Sequence, residues 1–384
     1  MGSEKVKFIC DRLKAQVNSR YNFDEILNDT ILSNIAFLLS GNCEFEIEWR
    51  EEVNTGRVLL GFFNNIKYFI NLSQYGLVES RNNYLQSVPT AYEQYFNDTE
   101  TKKEFVYYCL PYTGNNKTPY IKFGYKLMKT AGIRFLNESF MLQNEILEPF
   151  KSMKELIEAK KEMRLRNPAN KSSYITDDGN AYNIYGKTFG ANGKETSLTC
   201  YAISRLADKP VVLYPIIDNE TRRLSDKTVN TIQQMGKIKV LYDSFEMEMS
   251  QDKPVTEDIR SAKFIYNLLC KYGEKHCALC NCQIDSIIQA AHIWSVSDIK
   301  KAKISFEEKK LRASDADNGI WLCENHHKLF DAHLLRINHE NGNVMISKTL
   351  NEESVDFINY ITTLNTITLT AKMQEYLSLR YKVK

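Results

Sequence analysis

Apolar residues recur at near-helical spacing through the opening forty positions. Val6, Ile9 and Leu13 are followed by Ile26, Ile31, Ile35, Leu38 and Leu39, and this predicts helices. From Cys43 to about Leu110 the period shortens. Phe45, Ile47 and Trp49 alternate with Glu44, Glu46 and Glu48, while 57–72 and 105–110 are rich in β-branched and aromatic residues, as in strands. Met141 to Arg166 returns to a helical pattern with a basic second half: Lys151, Lys154, Lys160, Lys161, Arg164 and Arg166. Such a face suits a solvated helix or one that contacts phosphates. Residues 167–173, polar and carrying Pro168, predict a linker.

Residues 174–250 read as a small α/β unit. Strands are expected at 182–189, 210–217 and 238–242, and helices at 195–206 and 226–235. The run from Gly186 to Lys194 looks like a phosphate-binding loop but lacks its pattern. Thr188 stands where the first glycine belongs, and Glu195 where a hydroxyl would hold magnesium, so a glycine-rich turn is the better reading. Residues 251–255 form a second polar linker.

Composition narrows the classes. The 384 residues, 43% hydrophobic, leave room for two or three domains. A net charge of +2 gives no overall basic footprint, so any nucleic-acid surface must be a local patch. The charged N-terminal stretch does not read as a signal peptide, and no segment approaches the roughly 20 apolar residues of a spanning helix. A cytoplasmic protein without membrane contact is expected. The nine cysteines are scattered except for a C-terminal group, which fits a reducing compartment and a metal site better than disulfides.

All six histidines lie between His276 and His339, together with Cys277, Cys280, Cys282 and Cys323. Cys277 and Cys280 form a Cys-x2-Cys knuckle, and Cys323 and His326 a Cys-x2-His knuckle. Together they offer the four N/S ligands of a closed structural zinc site. Cys282 is a spare thiol that can substitute for Cys280. His327 and Asp331, four apart, share one face if their segment is helical, which suits an open site for a divalent cation such as magnesium.

Ala290-Ala291-His292-Ile293, Asn318-Gly319-Ile320-x-Leu322-Cys323 and His326-His327-x-Leu329-Phe330-Asp331 together resemble the HNH, or ββα-metal, nuclease family, in its restriction-enzyme branch. The resemblance spans about residues 274–347. It implies that His292 ends a first strand and is the general base that activates water. It makes Asn318 the residue that holds the His292 segment in place, and His327 a metal ligand opening a helix. One departure is Ala291, because many relatives place a metal-ligating residue immediately before the base. Either the cation rests on His327 and Asp331 with waters and phosphate, or another residue such as Asp315, Asp317 or His333 enters. His276 reads as a surface neighbour of the knuckle and His339 as hairpin surface, beside the Asn341-Gly342 turn. The lysine-rich 300–310 segment reads as a loop, solvated or against DNA backbone.

The expected fold is therefore α+β or mixed α/β. An N-terminal α/β DNA-recognition region (1–167) and a small α/β unit (174–250), part of the same recognition module, precede a zinc-stabilised HNH nuclease domain (256–384) ending in a hairpin and helix. The nuclease window cannot choose a sequence alone, and the preceding 250 or so residues exceed what its folding requires. The expectation is a sequence-specific type II-like restriction endonuclease acting on double-stranded DNA as a homodimer, with a companion DNA methyltransferase as a possible partner. A modification-dependent or low-specificity HNH DNase, and a catalytically dead zinc-stabilised DNA-binding protein, are the alternatives.

Overall fold

The computed structural model describes residues 5–11, 27–50, 58–72, 87–110, 119–138, 146–166, 172–217, 223–242 and 261–382. These form a mixed α/β structure that divides into two compact units. One comprises 1–173, 186–211 and 218–240, and the other 174–185, 212–217 and 241–384.

The first unit is built on a six-stranded mixed sheet in the order β2-β1-β3-β4-β5-β6. Its strands are β1 (Val6–Asp11), β2 (Phe45–Arg50), β3 (Val58–Phe63), β4 (Ile66–Leu72), β5 (Lys103–Tyr108) and β6 (Arg134–Phe135). The strand at Val6–Asp11 corrects the helix expected there. Val6, Phe8 and Cys10 are buried at alternate positions, a period of two that the Val6–Ile9 spacing obscured. Leu13 and Ile26 lie outside the described residues.

Parallel neighbours need crossovers, and helices supply them. Helix α1 (Asp29–Ser40) lies between β1 and β2, α2 (Val88–Asn97) between β4 and β5, and α3 (Pro119–Thr130) between β5 and β6. Asn28 caps α1 by accepting from the Ile31 amide at 3.0 Å, and Gly41 closes it with φ of 77°. β3 and β4 are joined through Asn64 and Asn65, both at positive φ, as a two-residue hairpin requires. The core joins Phe8, Ile35, Leu59, Ile70 and Val106.

The same unit holds α4 (Met153–Arg166), α5 (Gly190–Leu206), α6 (Asp226–Gln234) and β10 (Ile238–Val240). Helix α4 starts later than the expected Met141, of which 141–145 lie outside the described residues. Lys160, grouped by sequence with a basic face either solvated or against phosphates, is buried. It pairs with the buried Glu195 at 2.8 Å, and Ser172 and Tyr120 hydroxyls also donate to that carboxylate. Burial works against the charge on Glu195, but the Lys160 ammonium and the two hydroxyls hold its pKa below the usual carboxylate range. The glycine-rich turn leads directly into α5. A Cβ at Gly193 would meet the Thr188 carbonyl oxygen at 2.3 Å, so close packing of the turn accounts for that glycine. The linker expected at 167–173 is outside the described residues up to 171, and Ser173 opens a strand; 251–255 is also outside them.

In the second unit, β7 (Ser173–Asp177), β8 (Tyr182–Lys187) and β9 (Val211–Ile216) lie in the order β9-β8-β7. Tyr174, Tyr185 and Ile216 pack with Phe264 and Leu268 of α7 (Ala262–Tyr272). The same cluster includes Ile288 and Ala290 of β11 (Ile288–His292) and Trp321 of β12 (Gly319–Cys323). Between β11 and β12 run α8 (Val296–Lys301) and α9 (Phe306–Ser314), which replace the expected lysine-rich loop. Ser295 and Ser305 cap them by accepting from the Asp298 and Glu308 amides. β12 runs straight into α10 (Glu324–Asp331), completing a strand–strand–helix motif. The hairpin β13 (Leu335–Ile337) and β14 (Val344–Ile346), then α11 (Glu352–Ile361) and α12 (Ala371–Tyr381), finish the unit. A second core, with Leu279, Ala291, Ile293, Leu322, Phe330 and Leu377, fills the other face of the β11–β12 hairpin.

Candidate metal centre and nuclease site

Two loops bring the knuckles together. The Cys277 amide donates to the Cys282 carbonyl at 2.9 Å, and the Ala278 amide to the Trp321 carbonyl at 2.8 Å, which pins the first knuckle to β12. Cys323 and His326 follow at the β12–α10 junction. The ligand atoms of Cys277, Cys280, Cys323 and His326 all lie within 4.8 Å of one another. His326 Nδ1 is 3.4 Å from Cys277 Sγ and 3.2 Å from Cys323 Sγ, and Cys280 Sγ is 3.9 Å from Cys323 Sγ. A tetrahedral zinc with ordinary Zn–S and Zn–N bonds would set these edges at about 3.5–3.8 Å, so the donor set fits.

The surroundings agree with that fit. His326 Nε2 lies 3.1 Å from the buried Thr362 hydroxyl, to which it donates when Nδ1 faces a metal. Burial, reinforced by the neighbouring Cys277 and Cys323 sulfurs, pushes the Cys280 thiol up to about 12. Crowded thiols of this kind become good ligands only beside a cation. Cys282 stays outside the four-donor group.

The second constellation lies along the same hairpin. His292 ends β11 opposite Gly319, the first residue of β12. Its ring stacks on Phe264 with centroids 3.7 Å apart. Gly319 makes room for this, since a Cβ there would come within 2.5 Å of the Phe264 ring. His292 Nε2 is 2.9 Å from the Ala313 carbonyl oxygen. A carbonyl only accepts, so Nε2 carries the proton and the lone pair sits on Nδ1. The end of α9 that presents this carbonyl is tied to α7 by Asn267, whose Nδ2 donates to Ser314 at 2.8 Å.

Asn318 is fully buried and saturates its surroundings. Its Oδ1 accepts from the Trp294 amide at 2.6 Å, and its Nδ2 donates to the Trp294 and Arg312 carbonyls at 3.1 and 3.0 Å. Its own carbonyl accepts from the Ile293 amide at 2.9 Å. The two residues after His292 are thus held to the loop before β12 and to α9.

His327 and Asp331 share one face of α10, with His327 Nε2 3.2 Å from Asp331 Oδ2. Two cis ligands of a small octahedral cation are about 3.0 Å apart, so this pair also fits one ion. Among the described residues no third His, Cys, Asp or Glu joins them in a cluster. Ala291 points its methyl into the core, fully buried. Asp315 instead takes the Tyr376 hydroxyl at 3.0 Å, and Asp317 takes Lys271 at 2.8 Å. His333 follows α10 at φ of 57°. Burial, with Arg380 and Arg336, lowers its pKa. His276 is exposed, and His339 lies beside the β13–β14 turn.

Phe264, the Ala313 carbonyl, Thr362 and Arg380 were not singled out from sequence. Arg380 carried a signal: it falls on the apolar stripe Met373, Tyr376, Leu377 and Tyr381 of α12, where an arginine is out of place.

Residues 277–338 match the family described as HNH endonuclease. No curated protein matches the chain. The C-terminal part is therefore an HNH endonuclease domain with a three-cysteine, one-histidine cluster able to hold a metal such as zinc. Such a domain implies nuclease activity with DNA as substrate. Among the described residues, no helix is long and apolar enough to cross a membrane.

Proposed function

We propose that the chain is a sequence-specific, type II-like restriction endonuclease that hydrolyses phosphodiester bonds of double-stranded DNA, with His292 as general base. The observation that carries its hydrolytic part is the 2.9 Å bond from His292 Nε2 to the Ala313 carbonyl, which fixes the tautomer a base needs.

In this mechanism His292 Nδ1 takes a proton from water as its oxygen attacks the phosphorus. The bond from phosphorus to the leaving sugar oxygen breaks, and solvent returns a proton to that oxygen. Stacking on Phe264 holds the imidazole plane, and Asn318 holds the backbone that follows it. His327 and Asp331 would hold one divalent cation such as Mg2+, which supplies charge stabilisation at the phosphate and leaving oxygen. Ala291 offers no ligand, so any further ligands for that cation would have to come from phosphate or water. Cys277, Cys280, Cys323 and His326 would hold a structural zinc.

Residues 1–167 and 174–250 are assigned to DNA recognition, and cutting both strands calls for a homodimer. A cytoplasmic restriction system with a companion methyltransferase is the setting this implies. The test is digestion of a matched methylated and unmethylated DNA pair with Mg2+, Mn2+ or Ni2+, followed by sequencing of the ends. Discrete fragments ending at one short sequence, cut only when unmethylated, are expected. Cleavage confined to methylated DNA would replace this reading with a modification-dependent nuclease, and a smear with a low-specificity DNase.

A further inference from the structure

We infer that Arg380, beyond the matched HNH segment, is a positioning residue that sets His292 relative to the His327–Asp331 pair. The inference rests on the nuclease reading above. The Arg380 side chain is 5% exposed and lies between the end of β11 and the end of α10. Its Nη1 donates to the Ile293 carbonyl at 2.9 Å and reaches the His292 carbonyl at 3.5 Å. Its Nη2 donates to the Phe330 carbonyl at 2.6 Å and stands 3.7 Å from Asp331 Oδ1. The guanidinium also lies over the Phe330 ring, 3.9 Å from its centroid.

One rigid fork therefore grips the strand that carries the base and the helix that carries the cation pair. The base and the cation must act on the same phosphate, so their separation matters to the rate. A core tie alone needs no cation, and burying a guanidinium is costly unless its donors are used. Here both Nη groups donate to the two catalytic elements and the charge faces Asp331, while the buried Nε has no hydrogen-bond partner among the described residues. Lysine cannot replace it, because a single ammonium lacks the planar fork that spans both carbonyl sets.

The experiment compares wild type, Arg380→Lys and Arg380→Gln, each checked for folding and zinc content. Two readouts are used: single-turnover DNA cleavage, and Mn2+ binding without DNA followed by electron paramagnetic resonance, with Asp331→Ala as the control for the site. Both variants are expected to cut at least about 30-fold more slowly at saturating DNA, with KM for DNA within about twofold. Mn2+ binding should weaken about tenfold, a usual size for losing a residue that orients metal ligands. If the glutamine variant does not fold, the lysine variant, which keeps stem and charge, decides. Cleavage within threefold of wild type together with unchanged Mn2+ binding overturns the inference. So does an effect confined to KM or to melting temperature. If wild type cuts no DNA, the nuclease reading fails, and the Mn2+ arm alone judges Arg380.

Discussion

The His292 imidazole lies face to face with the Phe264 ring, the two planes inclined by only 13°. The strand residue opposite His292 is Gly319, and the absence of a side chain there lets the phenyl ring reach the imidazole. Gly319→Ala should therefore displace Phe264 and tilt His292. We expect a stability loss of about 1–3 kcal/mol, typical of overpacking, and a cleavage rate at least tenfold lower with zinc retained. A melting curve, a zinc assay and a rate measurement check this. Wild-type cleavage by the alanine variant would show that the stack does not orient the base.

Asn318 offers a second test. Replacing it with alanine strands the Trp294 amide and the Trp294 and Arg312 carbonyls inside the protein. The expected cost is about 2–5 kcal/mol, because buried groups lose partners that water cannot replace. Chemical denaturation measures it, and cleavage per folded molecule should fall as well. A loss below about 1 kcal/mol would mean that other contacts hold the segment.

The four-donor cluster makes a direct prediction about metal. Purified protein should contain one zinc per chain, and Cys277→Ala or Cys323→Ala should lose zinc and melting temperature together, since structural metal binding contributes folding energy. Thr362→Val removes only the partner of His326 Nε2 and should weaken zinc about 10- to 100-fold. Elemental analysis with chelator competition reads both. Zinc near zero in wild type contradicts the assignment.

The first unit has its own pH signature. The Glu195 pKa is held below its unfolded value near 4.3, so its contribution to stability is present above that value. It is lost as pH falls through the folded value. Below about pH 4 the unit should melt progressively earlier. Glu195→Gln should flatten that acid dependence, and at pH 7 should cost about 3–5 kcal/mol by leaving Lys160 buried and unpaired. An identical acid profile in wild type and variant would place the sensitivity elsewhere.

Local spacing made the metal-ligand candidates readable before any fold was known. Cys277-x2-Cys280 and Cys323-x2-His326 are short-range patterns, and the turns that bring each pair together are local too. Residues 182–242 were equally legible, because strands and helices there alternate with clear periods. What escaped was contributed from a distance. Phe264 and Arg380 come from helices before and after the motif, and the Ala313 partner is a backbone carbonyl that no side-chain pattern records. Val6–Asp11 was misread because three apolar positions at helical spacing outweighed the alternation of Val6, Phe8 and Cys10. In 300–310 the lysines mask the last turn of α8 and the start of α9, although Ser305 and Glu308 stand at capping-box spacing.

The most direct test of the nuclease reading is single-turnover cleavage by wild type and His292→Ala, with DNA binding measured alongside. We expect metal-dependent cleavage by wild type and a loss of about 10^2–10^4-fold in the variant, the range a general base supplies, with binding and melting temperature unchanged. Cleavage by His292→Ala at the wild-type rate, or no cleavage by wild type with any divalent cation, would contradict it.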